Sequence, residues 1–315
     1  MARAYGANAQ LLGLFEATYG TPPADDFIQL PFISSDLGSE QGLIASNLLG
    51  QGRDPGQPIR DVIKVEGDIV VPVDLRNFGH WLRALFGDPT TTGAGPYVHT
   101  FASGLADLPS LALEIGMPEV PIYFMNAGIR ANSLQLSFAR SGAAEATINC
   151  IAQGEVSDDT SAGGTPSVAN IVRFNQFQGA IKKNGVALGN VTGAQLTYSN
   201  NLERVETIRS DGKIEGVDPA GATLEGTIDV RFADTTLIDA ATNNTAVSLE
   251  FSYTIDANKS LVFTAHEVYL PKPKLPISGP GGVQASFNWQ AAKAVASPYR
   301  MLTVVLKNDV VSYDD

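Results

Sequence analysis

The chain has 315 residues, 44% hydrophobic and 17% charged, which is enough to bury one large core or two medium ones and excludes a disordered chain. Its formal charge of −12 disfavours a surface that grips nucleic acid, because such surfaces are basic, but it is compatible with one past which nucleic acid slides. The single cysteine, Cys150, excludes an intrachain disulfide, and no apolar run reaches the ~18 residues of a membrane span.

The first 25 residues are predicted to form an N-terminal arm. Leu11, Leu12 and Phe15 have the spacing of one helical turn, and Pro22-Pro23 ends the segment as a loop. The start lacks the long apolar core of a secretory signal peptide. The protein is therefore expected to be made in the cytoplasm.

A strand followed by a short helix is predicted over 62–87. Alternating polarity runs from Val62 to Val73, Asp74 is a favourable helix N-cap, and Gly87 can close the helix. The helix is amphipathic and is expected to cover the sheet. The side chains predicted to lie on the sheet are Phe78, Trp81, Leu82 and Leu85.

Turn-forming residues divide the remaining chain. Gly and Pro residues predict loops at 45–60 and 88–96, and the small polar segment 157–167 is the best candidate for a linker. Asn184-Gly185 lies between two apolar runs and predicts a tight β-hairpin, because both residues tolerate a positive φ. The Val, Ile, Thr and Phe content of the intervening segments favours strands.

The strand and helix at 62–87 recur in the second half. Residues 65–71 match 224–230, and Glu66 maps onto Glu225 at an offset of 159 residues (225 minus 66). The offset preserves the alternation, so the same positions point to the core in both copies. Other pairings in the same order are 33–37 with 197–202, 113–115 with 249–251, and 134–138 with 283–287. We therefore predict a tandem duplication, with an arm at 1–25, modules at 26–156 and 170–315, and a linker at 157–169.

The sequence carries no recognisable catalytic or metal-binding motif. His80, His99 and His266 lie far apart, and nucleophile-elbow, zinc-protease, phosphate-loop and calcium-loop patterns are absent. No cofactor is expected. Six carboxylates fall on the polar faces of predicted strands, which is compatible with ordinary solvent exposure or with an acidic channel. They are Glu66, Asp68, Glu114, Glu225, Asp229 and Glu250.

Three segments resemble phage tail tube proteins of the long-tailed phages. They are 16–22, 65–87 and 126–138, and the resemblance extends over most of the chain. It implies a β-sandwich flanked by a helix, whose inner sheets join around a ring that DNA traverses. A typical subunit of that family carries one module and forms hexameric rings, whereas this chain carries two.

The resemblance and the duplication together predict a mainly β chain with two tandem β-sandwich or half-barrel modules, each flanked by a short α-helix. Three chains would form a pseudo-hexameric ring with an acidic lumen, in the tail of a virion. The loop residues Thr90, Thr91, Thr92 and Gly93 are candidates for contacts between stacked rings. The implied partners are other copies of the chain, tape-measure and tail terminator proteins, and DNA in transit.

Three other functions remain open at this point. The chain could be a tail-tip or capsid-decorating binding protein with paired sandwiches, or a tube protein of a secretion system. A carbohydrate-active enzyme is disfavoured because such sites combine clustered aromatic residues with a close carboxylate pair, whereas the only tryptophans, Trp81 and Trp289, lie in predicted regular elements.

Overall fold

The computed structural model describes residues 3–50, 52–277 and 279–313 and confirms a mainly β fold. The strands of the first half are β1 (Gln10–Phe15), β2 (Ile28–Gln29), β3 (Ser34–Ser35), β4 (Gly38–Ile44), β5 (Ile59–Pro72), β6 (Thr90–Thr92), β7 (Tyr97–Ala102), β8 (Leu111–Met117), β9 (Ile122–Phe138), β10 (Glu145–Ala152) and β11 (Gly154–Asp158).

The strands that follow are β12 (Ser167–Val168), β13 (Gly179–Lys183), β14 (Val186–Ala187), β15 (Val191–Ser199), β16 (Leu202–Val205), β17 (Gly216–Pro219), β18 (Thr223–Arg231), β19 (Val247–Asp256), β20 (Lys259–Tyr269), β21 (Gln284–Ala292) and β22 (Leu302–Asn308). The two α-helices are α1 (Phe78–Phe86) and α2 (Thr236–Thr242), and 3₁₀ turns occupy Gly6–Asn8 and Gln176–Gln178.

One antiparallel run of strands crosses both halves of the chain. Its order is β5, β10, β9, β15, β18 and β21, with β3 and β4 on the outer edge of β5. We call this run the inner sheet. One of its faces is entirely buried, as the alternation in the sequence predicts. The buried residues are Val65, Ile69, Val71, Leu134, Leu136, Phe138, Ala146, Ile148, Cys150, Ala194, Leu196, Tyr198, Leu224, Ile228, Val230, Ala285, Phe287 and Trp289.

A second layer packs beneath each end of the inner sheet. In the first half it contains β11, the N-terminal part of β9, β8 and β1, and in the second half β22, the N-terminal part of β20, β19 and β13. The long strands β9 and β20 therefore pass from one layer into the other. This arrangement encloses the main hydrophobic core, to which both helices contribute side chains.

Helix α1 lies where the sequence predicts it. The Asp74 carboxylate accepts hydrogen bonds from the backbone N–H groups of Arg76, Asn77 and Phe78, which have no acceptor within the helix. Gly87 ends the helix at φ +83°, a conformation that favours glycine. The side chains of Phe78, Trp81, Leu82 and Leu85 are all buried in the main core.

The strand ladders of the first half recur in the second half in the same register. β5 and its partner β4 correspond to β18 with β15 and β16 at an offset of 159, and β9 and β10 correspond to β20 and β21 at an offset of 139. The matching pairs are Ser35–Ile69 with Ala194–Ile228, Ile69–Ile148 with Ile228–Phe287, Leu113–Asn126 with Leu249–Ala265, and Leu11–Ile115 with Ile181–Phe251.

The register also corrects two sequence pairings. Residues 134–138 correspond to 273–277 rather than to 283–287, because 283–287 leads into the counterpart of β10. Residues 35–40 correspond to 194–199, so the match of 33–37 with 197–202 is out of register. Short alternating segments resemble one another in sequence, and only their partners distinguish them.

Three local predictions were wrong. Residues 10–15 form strand β1 rather than a helical turn in an arm, and Leu11 and Leu12 are buried beside β8. Residues 90–92, predicted as a loop, form strand β6 against β7. The segment 157–169, predicted as a linker, is tied to the first half, since Ser161 Oγ and Ala162 N donate to Glu114 and β12 pairs with β2.

The tight hairpin at Asn184-Gly185 is confirmed. Asn184 has φ +50° and Gly185 has φ +78°, and the turn joins β13 to β14. Both residues therefore adopt the left-handed conformations that such a two-residue turn requires.

Candidate lumen face and assembly edges

The exposed face of the inner sheet is polar over both halves of the chain. Rows of paired residues run across it, for example Thr147, Gln135, Thr197, Glu225 and Gln290. Its members are Glu66, Asp68, Ser133, Gln135, Ser137, Thr147, Asn149, Gln195, Thr197, Ser199, Glu225, Thr227, Asp229, Ser286, Asn288 and Gln290. These residues, which we call the polar face, include four carboxylates and neither lysine nor arginine. Lys64 and Arg231 lie at its margins.

The four carboxylates of the polar face differ in their surroundings. Arg204 forms an ion pair with Glu66, and Asp68 accepts a hydrogen bond of 2.7 Å from the Asn149 amide. Glu225 and Asp229 are exposed on β18. The structure therefore brings four of the six predicted residues onto one continuous surface.

The other two predicted carboxylates are not on this surface. Glu114 lies on β8 in the second layer and is only 1% exposed, because the segment at 161–163 covers it. Glu250 lies on β19 and pairs with Lys182 at 2.6 Å. Alternation in the sequence marks these residues as polar positions but does not show which layer they belong to.

The candidate stacking residues Thr90, Thr91, Thr92 and Gly93 form β6 and the turn after it. Thr91 Oγ1 lies 2.9 Å from Nδ1 of the buried His99, which fixes the strand against β7. Strand β7 pairs in turn with β22 of the second half. This hairpin therefore links the two halves, a role that the sequence did not suggest.

The histidines occupy structural positions. Burial lowers the pKa of His80 to about 4, and its ring contacts Tyr313 edge-on at 5.1 Å. His99 is buried against Asn308 and the Val310 carbonyl. Within 3–50, 52–277 and 279–313, no group of three or more His, Cys, Asp or Glu side chains is placed to hold a metal ion.

Two glycines on equivalent strands are required by close backbone contacts. A Cβ at Gly67 would lie 2.5 Å from the Leu37 backbone, and one at Gly226 would lie 1.9 Å from the Gln195 carbonyl oxygen. The crossing strands belong to the ladders that correspond at the offset of 159. The Glu-Gly pair in both sequence copies thus has a packing reason.

The inner sheet ends in two edges. At the first edge, β3 and β4 pair with β5 on one side, while the Glu155 side chain accepts from Ser39 on the other. At the second edge, β21 pairs with only the last three residues of β20, 267–269. The chain continues alongside as 270–277, which contains three prolines and is largely exposed. The sequence identified 271–282 only as a Pro/Gly loop.

An extended sheet with a polar face and open edges is typical of a structural protein that assembles through its strands. The family model for the phage tail tube protein matches residues 6–291, nearly the whole chain. The chain belongs to the phage tail tube protein family, and it is a structural component of the phage tail.

Other comparisons add little to this assignment. No curated protein matches the sequence. Among solved structures, the chain aligns with the Pseudomonas putida toluene transporter TodX at 10% identity, over 96% of this chain and 87% of that one, with a TM-score of 0.12. A similarity at that level supports no argument. The helices within the described part of the chain are too short or too polar to cross a membrane.

Proposed function

We propose that this protein is the tail tube subunit itself, assembled as rings of three chains around a lumen through which DNA passes. The carrying observation is the polar face, which runs without interruption from β5 in the first half to β21 in the second. The recurring ladders support two modules per chain, here taken as 26–156 and 170–315. Three chains would then supply the six modules of a ring.

The stagger of the strands supports this number. Each module contributes four strands to the inner sheet, so three chains contribute 24 (three chains, two modules, four strands). Following paired residues from Ser34 across four strands leads to Thr197, the counterpart of Gly38, a stagger of four residues per module. Strands about 4.8 Å apart and tilted by about 35° then close into a ring about 45 Å wide between backbones. Such an opening admits a DNA duplex.

The charge of the polar face suits passage without binding. Three chains carry a formal charge of −36 (three times −12), and the polar face contributes carboxylates with no basic residue among its members. Phosphate binding by proteins depends on lysine and arginine, so this wall repels DNA. Closure of the ring also removes the exposed strand edges that otherwise invite uncontrolled pairing.

Cryo-electron microscopy of the assembled protein tests the proposal. We expect stacked rings with threefold symmetry, sixfold at low resolution, and the polar face on the inside. Rings of six chains would overturn the pseudo-hexamer. Compact single particles would instead favour the alternative, a tail-tip or capsid-decorating protein. The same maps of intact tails would reveal the tape-measure and terminator proteins as partners and show assembly in the host cytoplasm followed by incorporation into virions.

Charge reversal in the lumen is expected to make DNA stick. The variant Glu225→Lys/Asp229→Lys changes the wall by twelve charges per ring (four per chain, three chains), and its tubes should retain duplex DNA at low salt and release it as salt rises. Co-sedimentation of tubes with DNA measures this. The control Asp25→Lys/Asp159→Lys makes the same change away from the polar face, where both residues are exposed. Equal retention by both variants would place the polar face outside the lumen.

A further inference from the structure

The junction between the two halves provides a template for the junction between chains. β9 of the first half pairs with β15 of the second half over six residues, from Ser133 opposite Ser199 to Phe138 opposite Ala194. This ladder makes the inner sheet continuous. Each half has a counterpart of both strands, so the same contact is available once more at the two ends of the chain.

The ladder offsets identify the residues at those ends. Adding 139 to 133–138 gives 272–277, and subtracting 159 from 194–199 gives 35–40. The first segment follows β20 at one edge of the inner sheet, and the second comprises β3, the start of β4 and the residues between them at the other edge. In one chain these segments lie at opposite ends of the same sheet, so they can meet only between chains.

The junction within the chain also covers part of the polar face. The loop that follows β15 folds back over the first half, where Leu202 N donates to Asn132 Oδ1 at 2.9 Å and Arg130 Nη1 donates to the Val217 carbonyl at 3.0 Å. The equivalent position on the second half is open. It is a cavity of about 570 Å³ whose lining includes Glu225, Gly226, Tyr269, Pro271, Trp289 and Gln290.

The chain carries a matching element for that cavity. The pairs Leu43–Arg60 and Ile44–Ile59 in the β4–β5 hairpin correspond to Leu202–Pro219 and Glu203–Asp218 at the offset of 159. Leu202 is half-buried because it packs on the first half, whereas its counterpart Leu43 is 68% exposed. The buried Nε1 atom of Trp289, beside the cavity, has no hydrogen-bond acceptor.

We propose that residues 35–40 of one chain pair antiparallel with residues 272–277 of a second copy, with Glu40 opposite Lys272, and that Leu43 of the first chain fills the cavity beside Trp289 of the second. This inference rests on the ring proposed above and specifies its contact between chains. The neighbouring strand displaces Glu155 from Ser39, and its backbone takes over the hydrogen bonds.

The charges at this junction are complementary. Glu40 is exposed on β4, and Asp36 lies two residues before Gly38 in the same segment. Lys272 and Lys274 are exposed on the opposing segment and belong to the few basic residues near the inner sheet. Opposite charges directly across two strands stabilise the pairing, and a shift of one residue would place them on different faces.

Cysteine cross-linking tests the register. The double variant Glu40→Cys/Lys272→Cys should form disulfides between chains, and a closed ring should give a covalent trimer as the largest band on a non-reducing gel. The native thiol does not interfere, because Cys150 is fully buried and burial raises its pKa to about 12. The positive control Ser133→Cys/Ser199→Cys places cysteines at the equivalent pair within one chain. The slipped control Gln41→Cys/Lys272→Cys should not cross-link.

The outcomes separate this inference from the proposed function. Rings by electron microscopy with the trimer band support both. Rings with no cross-link between 40 and 272, while the 133–199 control oxidises, overturn the proposed register and leave the tube function standing. Monomers without rings overturn both. In a second measurement, Leu43→Asp should abolish ring formation with an unchanged melting temperature, whereas Val186→Asp, at a site 71% exposed, should still assemble. Normal assembly of Leu43→Asp would overturn the docking of that side chain.

Discussion

Replacement of Gly226 by alanine is expected to destabilise the protein by about 3 kcal/mol, because overpacking of a close-packed site typically costs 1–3 kcal/mol or more. The added Cβ would lie 1.9 Å from the Gln195 carbonyl oxygen and 2.7 Å from the Trp289 ring. Backbone cannot yield at that point without breaking the β15–β18 ladder. Gly67→Ala should have a similar effect, since its Cβ would meet the Leu37 backbone. Urea unfolding of the unassembled protein measures both.

A matched control is available on the same hairpin. A Cβ added at Gly221 would meet no other atom within 4 Å, and this glycine does not adopt a positive φ. Gly221→Ala should therefore change stability by less than about 0.5 kcal/mol, the range of ordinary surface substitutions. A Gly226→Ala protein as stable as the wild type would show that the two strands do not approach closely, and the equivalence of the two Glu-Gly pairs would lose its physical basis.

Replacement of Tyr313 by alanine is expected to cost about 3 kcal/mol, as for other buried aromatic side chains. Tyr313 lies against Gly79 of helix α1, where a Cβ would lie 2.1 Å from its ring. Its hydroxyl donates to the Arg76 carbonyl at 2.6 Å and accepts from Asn308 Nδ2 at 2.7 Å. The end of the second half thereby holds the start of a helix in the first half.

Two further variants divide this effect. Tyr313→Phe keeps the ring and removes only the hydroxyl, so it should cost about 1 kcal/mol, the net value of a typical hydrogen bond. Val311→Ala, two residues earlier and 65% exposed, should be neutral. Thermal unfolding of the three proteins provides the comparison. If Tyr313→Ala melted with Val311→Ala, the C-terminal segment would not contribute to the packing of helix α1.

Sequence analysis predicted the elements whose signals are local. The alternation in β5 and β18 shows which face is buried, Asp74 and Gly87 mark the ends of α1, and Asn184-Gly185 predicts the hairpin. The offset of 159 was also readable, because both copies keep the Glu-Gly pair at the point of closest strand approach.

Sequence by itself thus determined the mainly β class, the phase of the repeated strands and the tail tube family. Tertiary structure alone decided which strands are neighbours: that β9 continues into β15, that Glu114 is covered while Glu225 is exposed, and that residues 90–92 form a strand on β7. The reason is physical. A period of two specifies a face but not a partner, and partners far apart in the chain are selected only when the whole core packs.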